Sequence, residues 1–176
     1  MQKTVRNAIK YKVKIGVHPG YPDLQGFGRR NMELSAKEIY ALIVYQIGAL
    51  QAFVHVEKGT LHHVKPHGAL YNQSANDVVK AQAIVDAVYD CNPKLVLYCL
   101  SGSKMAKLAK AKGMVVYEEV FADRQYTDEG ILVNRSEPNA LIHTQDEMLE
   151  HVKRLIEERR VKTVSGNFIR IEAQTI

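Results

Sequence analysis

Apolar residues recur along this chain with two spacings, every second residue and near every 3.6, and the changes between them divide it into elements. Val13, Ile15 and Val17 alternate with other residues, so 13–18 reads as a short buried strand. It runs into PGYPDLQGFG, a loop dense in proline and glycine. Ser35 stands three residues before Glu38 as a capping box, and Ile39, Leu42, Tyr45, Ile47 and Leu50 follow at roughly helical spacing. That pattern predicts a helix over 36–57, closed by Gly59. A second strand over 61–66 leads into the loop HGALYN, and Ser74 with Asp77 opens a helix through Val78, Ile84, Val85 and Val88. Leu95 to Leu100 is a continuous apolar run, Ser103 to Lys112 a short helix ended by Gly113, and Val115 to Phe121 strand-like again. After a long loop, Thr144 and Glu147 form another capping box, and Met148, Val152, Leu155 and Ile156 share one helical face. Phe168 to Ile171 alternates like a last strand.

Five strands alternating with four helices imply an α/β fold with a mainly parallel sheet, because parallel neighbours need crossover helices. At 176 residues the chain suits one domain, 1–176. Periodicity does not separate a barrel from an open sheet. Both architectures gather ligands at the carboxyl ends of the strands.

Composition narrows the picture. The chain is 46% hydrophobic, yet no run approaches eighteen uninterrupted apolar residues. The segment MQKTVRNAIKYK lacks the apolar core of a secretory signal, so a soluble, cytoplasmic protein away from membranes is expected. Cys91 and Cys99 have neither zinc-site spacing nor disulfide density and read as buried reduced thiols. The net charge of +5 is spread along helix faces, as at Lys104, Lys107 and Lys110, without interleaved aromatics, which argues against nucleic acid as a partner.

The polar clusters fall at strand ends: His18 with Asp23, the run His62 to Asn72, and Asp123-Arg124 after the fourth strand. Three of the seven histidines sit within HHVKPH, immediately before a turn. Strand alternation puts His63, Lys65 and His67 on one face and His62 and Val64 on the other. Lys65 can hold an anion while His67 moves a proton near neutral pH; equally, Lys65 can be one half of a barrel-interior ion pair. Tyr71 and Asn72 fall in the following loop as hydrogen-bonding contacts. Arg29 and Arg30 suit phosphate or carboxylate, or form a solvated pair; Asp123 and Arg124 either brace their loop or line a pocket. His18, His63, His67 and Asp23 offer zinc-type donors without a recognised ligand spacing, so no metal is assigned.

The strings IGVHPGYPDLQGFGRR, HHVKPHGALYN and EVFADRQYTDEGILVNR closely resemble, in order and at the family's spacing, signature segments of the LamB/YcsF family. The resemblance implies an incomplete (β/α) barrel, TIM-like and of the deacetylase type. It implies ATP-dependent opening of the lactam 5-oxoproline to L-glutamate, with ATP as co-substrate and 5-oxoprolinase subunits B and C as partners. The family's motifs fall on His18-Pro19, Lys65 to His67, Tyr71-Asn72 and Phe121 to Arg124. We expect catalytic work from His18, Lys65 and His67, and binding of substrate or ATP by Asp23, Arg29, His63, Tyr71, Asn72, Asp123 and Arg124. The family's DLNCDLGE-like first strand, CGFHAGDP-like segment and CVHGD-like final motif are not found. An open barrel with unpaired edges and a homo-oligomer are therefore expected. A remnant that binds ligand or partners without turnover, and a metal-dependent deacetylase-like hydrolase, are the alternative readings.

Overall fold

The computed structural model describes residues 1–135 and 137–176. Four strands, β1 (Ile15–Val17), β2 (Leu61–Val64), β3 (Val96–Leu100) and β4 (Val116–Glu119), form a parallel sheet in the order β1-β2-β3-β4. The ladder outlasts the named strands, since the Lys65 amide donates to the Val17 carbonyl at 2.9 Å and the His67 amide to the Pro19 carbonyl at 2.8 Å. Among the described residues the sheet does not close on itself. Beyond β4 the chain returns at 174–175, where the Val120 amide donates to the Thr175 carbonyl at 3.1 Å.

Four of the helices start where short polar side chains satisfy first-turn amides. α1 (Gln2–Lys10) lacks such a cap and is tied instead to α2 (Ala36–Val56), through Arg6 and Gln2 to Glu57 at 2.8 and 2.7 Å. Ser35 and Glu38 make the reciprocal capping box that begins α2, and Asp77 accepts from Val79 and Lys80 to begin α4 (Val78–Cys91). Ser103 caps α5 (Lys104–Ala111) and Thr144 caps α6 (Gln145–Lys153), which widens into a π-helical turn over Arg154–Glu158. With its 21 residues α2 is long and apolar enough to cross a membrane, but it packs Ile39, Ile43, Ile47 and Val54 into the core. There they join Ile84, Val85 and Val88 of α4 and Val64, Leu97 and Cys99 of the sheet.

Three expectations are corrected. The segment HGALYN is not a loop: Gly68–Asn76 forms a helix, α3, so Tyr71 and Asn72 are helical. The strand near 168 does not extend the parallel sheet; β5 (Arg160–Lys162) and β6 (Phe168–Arg170) pair antiparallel as a separate hairpin. Cys99 is buried as expected, whereas Cys91, on the last turn of α4, is exposed. A second, smaller core lies beneath the hairpin, built from Tyr71, Leu100, Val120, Tyr126, Leu155, Val161 and Ile171.

Candidate functional site

The strand ends deliver side chains to one concave face in layers, as barrel interiors do. In the lower layer His63 packs on the Tyr98 ring at 4.8 Å, and Tyr98 on Tyr117 at 5.4 Å. His63 fits there because residue 16 is glycine: a Cβ at Gly16 would lie 2.1 Å from its Nε2. In the layer above, Lys65 and Glu119 meet, with Nζ and Oε2 2.6 Å apart. His18 and His67 stand at the rim.

The two rim histidines form one hydrogen-bonded unit. His18 Nδ1 lies 2.6 Å from the Lys65 carbonyl, His67 Nε2 lies 2.8 Å from the Phe27 carbonyl, and His18 Nε2 lies 2.9 Å from His67 Nδ1. A carbonyl only accepts, so His18 donates from Nδ1 and His67 from Nε2, and these tautomers are assigned by their partners. The two remaining nitrogens can then face each other at hydrogen-bond distance only with one proton between them. Partial burial pulls the His18 imidazole below its ordinary value.

The loop 19–31 holds this pair from above. Asp23 is buried, and its carboxylate accepts from the Gly26 amide at 3.0 Å and from Arg30 Nε at 3.0 and 3.1 Å. The Arg30 guanidinium draws the Asp23 carboxyl down to about 2. The resulting turn presents the Phe27 carbonyl to His67, and the Gly28 carbonyl accepts from the Ala69 amide at 2.9 Å. Gly68 makes this approach feasible. Its φ is +56°, and a Cβ there would stand 2.4 Å from the Gly28 oxygen.

On the far side, Arg124 is buried, with Nη2 donating to the Val133 carbonyl at 2.6 Å and Nε to that of Ala140 at 3.4 Å. Burial, and then the facing charge of Arg135, pull its guanidinium below the ordinary value. Lys65 lies 5.5 Å from the Phe121 ring centroid, and that ring packs edge-on against Tyr71 at 6.2 Å. Burial raises the Tyr71 phenol well above its usual range, and the nearby Glu119 charge raises it further.

Together these parts enclose a cleft of about 670 Å³ lined by His18, Arg29, Lys65, His67, Tyr71, Asn72 and Arg124 among the expected residues. Asn31, Gln73, Phe121, Asn134 and Arg135 line it as well; Phe121 opens the motif Phe121 to Arg124, but none of the five was named as a site residue from sequence. Three expected residues lie outside the lining. Asp23 braces the loop, His63 sits a layer lower against Tyr98, and Asp123 offers its main-chain carbonyl to the Ile142 amide at 2.9 Å. Of the zinc-type donors His18 and His67 meet, while Asp23 and His63 lie elsewhere, and among the described residues no group of three or more His, Cys, Asp or Glu side chains is arranged around a common point. The cleft is strongly cationic, with three arginines, Lys65 and the histidine pair around it. Such a lining suits a small ligand carrying carboxylate or phosphate.

The sequence profile of the LamB/YcsF family matches residues 1–176. The 5-oxoprolinase A chain of Geobacillus kaustophilus is 52% identical over 176 residues, covering 100% of this chain and 69% of that protein. The protein of the same name from Brevibacillus brevis is likewise 52% identical, with 100% and 69% covered. The crystal structure of the lactam utilization protein from Thermus thermophilus superposes with a TM-score of 0.87 at 42% identity, covering 99% of this chain and 70% of that one. The open parallel sheet described above is thus of the TIM-like type shared with that neighbour.

Proposed function

The chain belongs to the LamB/YcsF family, and from that premise we propose that it acts as the A component of a 5-oxoprolinase, opening 5-oxoproline to L-glutamate with ATP and with subunits B and C. The observation that carries the reading is the cationic cleft at the strand ends, where Arg29, Lys65, Arg124, Arg135 and a proton-sharing histidine pair converge. A lactam is a poor electrophile. Transfer of the γ-phosphoryl group to the lactam oxygen, with ADP leaving, makes the ring carbon attackable by water; the ring C–N bond then breaks as its nitrogen takes a proton, and a second water displaces phosphate from the resulting acyl phosphate to leave L-glutamate. Each stage gathers negative charge that fixed cations stabilise.

In this reading Lys65 and Arg124 hold carboxylate or phosphate, with Arg29 and Arg135 at the mouth. His67 acts as general acid or base and His18 as the second proton carrier. All four of their ring nitrogens are engaged, so the proton reaches a ligand only when the His18–His67 contact opens. A cytoplasmic location accompanies this proposal, as does self-association at the open edge of β1, whose outer side pairs with no other strand among the described residues.

The test is to mix the chain with subunits B and C and follow glutamate release from 5-oxoproline. Release should require ATP and fall at least roughly a hundredfold in His67→Ala, the scale of a lost general acid or base. Release that ignores ATP, or that survives His67→Ala, contradicts the proposal.

A further inference from the structure

Beneath the cleft lies Glu119, the first residue of the string EVFADRQYTDEGILVNR, for which no role is predicted from sequence. Glu119 ends β4, its side chain is 6% exposed, and it lies under the site on the concave face of the sheet. Its neighbour Glu118 serves the other side, pairing with Lys110 and accepting from the Gly102 amide at 2.6 Å. Strand alternation separates the two roles. Glu119 Oε2 holds Lys65 Nζ at 2.6 Å, whereas Oε1 is buried with no aligned hydrogen bond, close to the equally unmatched Tyr71 hydroxyl. The Lys65 side chain is 32% exposed, so its ammonium is pinned on one side and open to the cleft on the other. A lysine stem has four rotatable carbons, and an unpinned ammonium would move out toward water.

We propose that Glu119 is the positioning residue of this site: it fixes the Lys65 ammonium at the cleft floor, with the Tyr71 hydroxyl beside it, and acts on the bound anion only through Lys65. The inference deepens the proposed function by naming what orients its anion holder. It requires only that the cleft bind an anion.

The experiment is a double-variant cycle read by ³¹P NMR titration of the full chain with inorganic phosphate, with urea midpoints measured in parallel. Glu119→Gln should weaken phosphate binding about tenfold, the scale of one lost charge-assisted hydrogen bond. Lys65→Met should weaken it at least as much, and Lys65→Met with Glu119→Gln should bind no worse than Lys65→Met alone. Glu119→Asp, which keeps the charge but shortens its reach, should fall between wild type and Glu119→Gln. A purely structural glutamate would lower the urea midpoint and leave phosphate affinity unchanged. That result overturns the proposal, as do losses that multiply in the double variant, or a wild-type chain that binds no phosphate. If Glu119→Gln does not fold, Lys65→Met and the double variant still decide, because neither member of the pair remains charged in the latter. A further loss on adding Glu119→Gln then contradicts action through Lys65. Glutamate release is measured separately: a cycle that behaves as expected in a chain releasing no glutamate refutes the oxoprolinase reading and leaves the positioning role standing.

Discussion

The two walls of the cleft are built differently. The wall made by β1, β2 and β4 places His18, Lys65 and Glu119 on strand ends, where ladder hydrogen bonds fix the backbone and the large core beneath α2 and α4 fixes the sheet. The opposite wall, residues 121–135, is largely loop, and it rests on the smaller core around Tyr126. Tyr126 is fully buried, its hydroxyl accepts from the Phe121 amide at 2.9 Å, and its ring stacks on His151 at 6.1 Å. Cationic groups come from both walls, but only the first can hold them in place without help. Precision at the site therefore depends on how well the smaller core supports its loop.

The comparison is broken most strongly at Tyr126. Tyr126→Ala should cost about 3–5 kcal/mol, the range for truncating a large buried aromatic. It should abolish phosphate binding while β1 to β4 keep slow amide exchange. Equal loss of protection in both regions, read by hydrogen exchange, would show that they fold as one unit and that the distinction is false.

Gly68→Ala tests the first wall. The added Cβ meets the Gly28 carbonyl, and φ of +56° is strained for alanine, so a cost of about 1–3 kcal/mol is expected. The loop 19–31 must lift, which separates His67 from the Phe27 carbonyl. The expected outcome is a lower urea midpoint together with weakened ligand binding. Unchanged binding would remove that loop from the site.

These contacts also mark where the sequence was readable. The capping box at Ser35 and Glu38, the buried run Leu95 to Leu100 and the strand-end histidines are local signals, and each predicted its element or its place. Helix α3 was hidden because Pro66 and Gly68 signal a turn, and because its buried residues, Ala69, Leu70, Tyr71, Ser74 and Ala75, leave little polar contrast. Asp23 read as a ligand since nothing local announces that Arg30, seven residues on, consumes it. Glu119 and Arg135 depend on tertiary placement. For Glu119 there was one faint signal, a charge at an inward strand position that has to be matched by something.

Acid offers a milder probe of both regions. Burial pulls His63 in the sheet and His151 under the loop below the ordinary value of 6.5, so the folded chain resists protons that the unfolded chain accepts. Their contribution is complete above about pH 6.5 and is lost as the pH falls through that value toward the folded values. Asp23 acts lower: its contribution is present above 3.8 and is lost toward about 2. The urea midpoint should therefore be lower at about pH 5.5 than at about pH 7.5, and His151→Gln, which keeps a donor for the Phe121 carbonyl, should shrink the difference. A midpoint that holds or rises on acidification contradicts this assignment.

A smaller cleft of about 330 Å³ lies between α6 and the hairpin, and its charges balance, with Glu147 and Glu150 against Arg154 and Lys162. The two clefts make rival predictions for the most direct measurement, a ¹⁵N amide shift titration of the chain with 5-oxoproline. Shifts should concentrate at His18, Lys65 to Gln73 and Phe121 to Asn134, and should vanish in Lys65→Met. Shifts centred on His151 and Thr163, or none at all, would contradict the placement of the site at the strand ends.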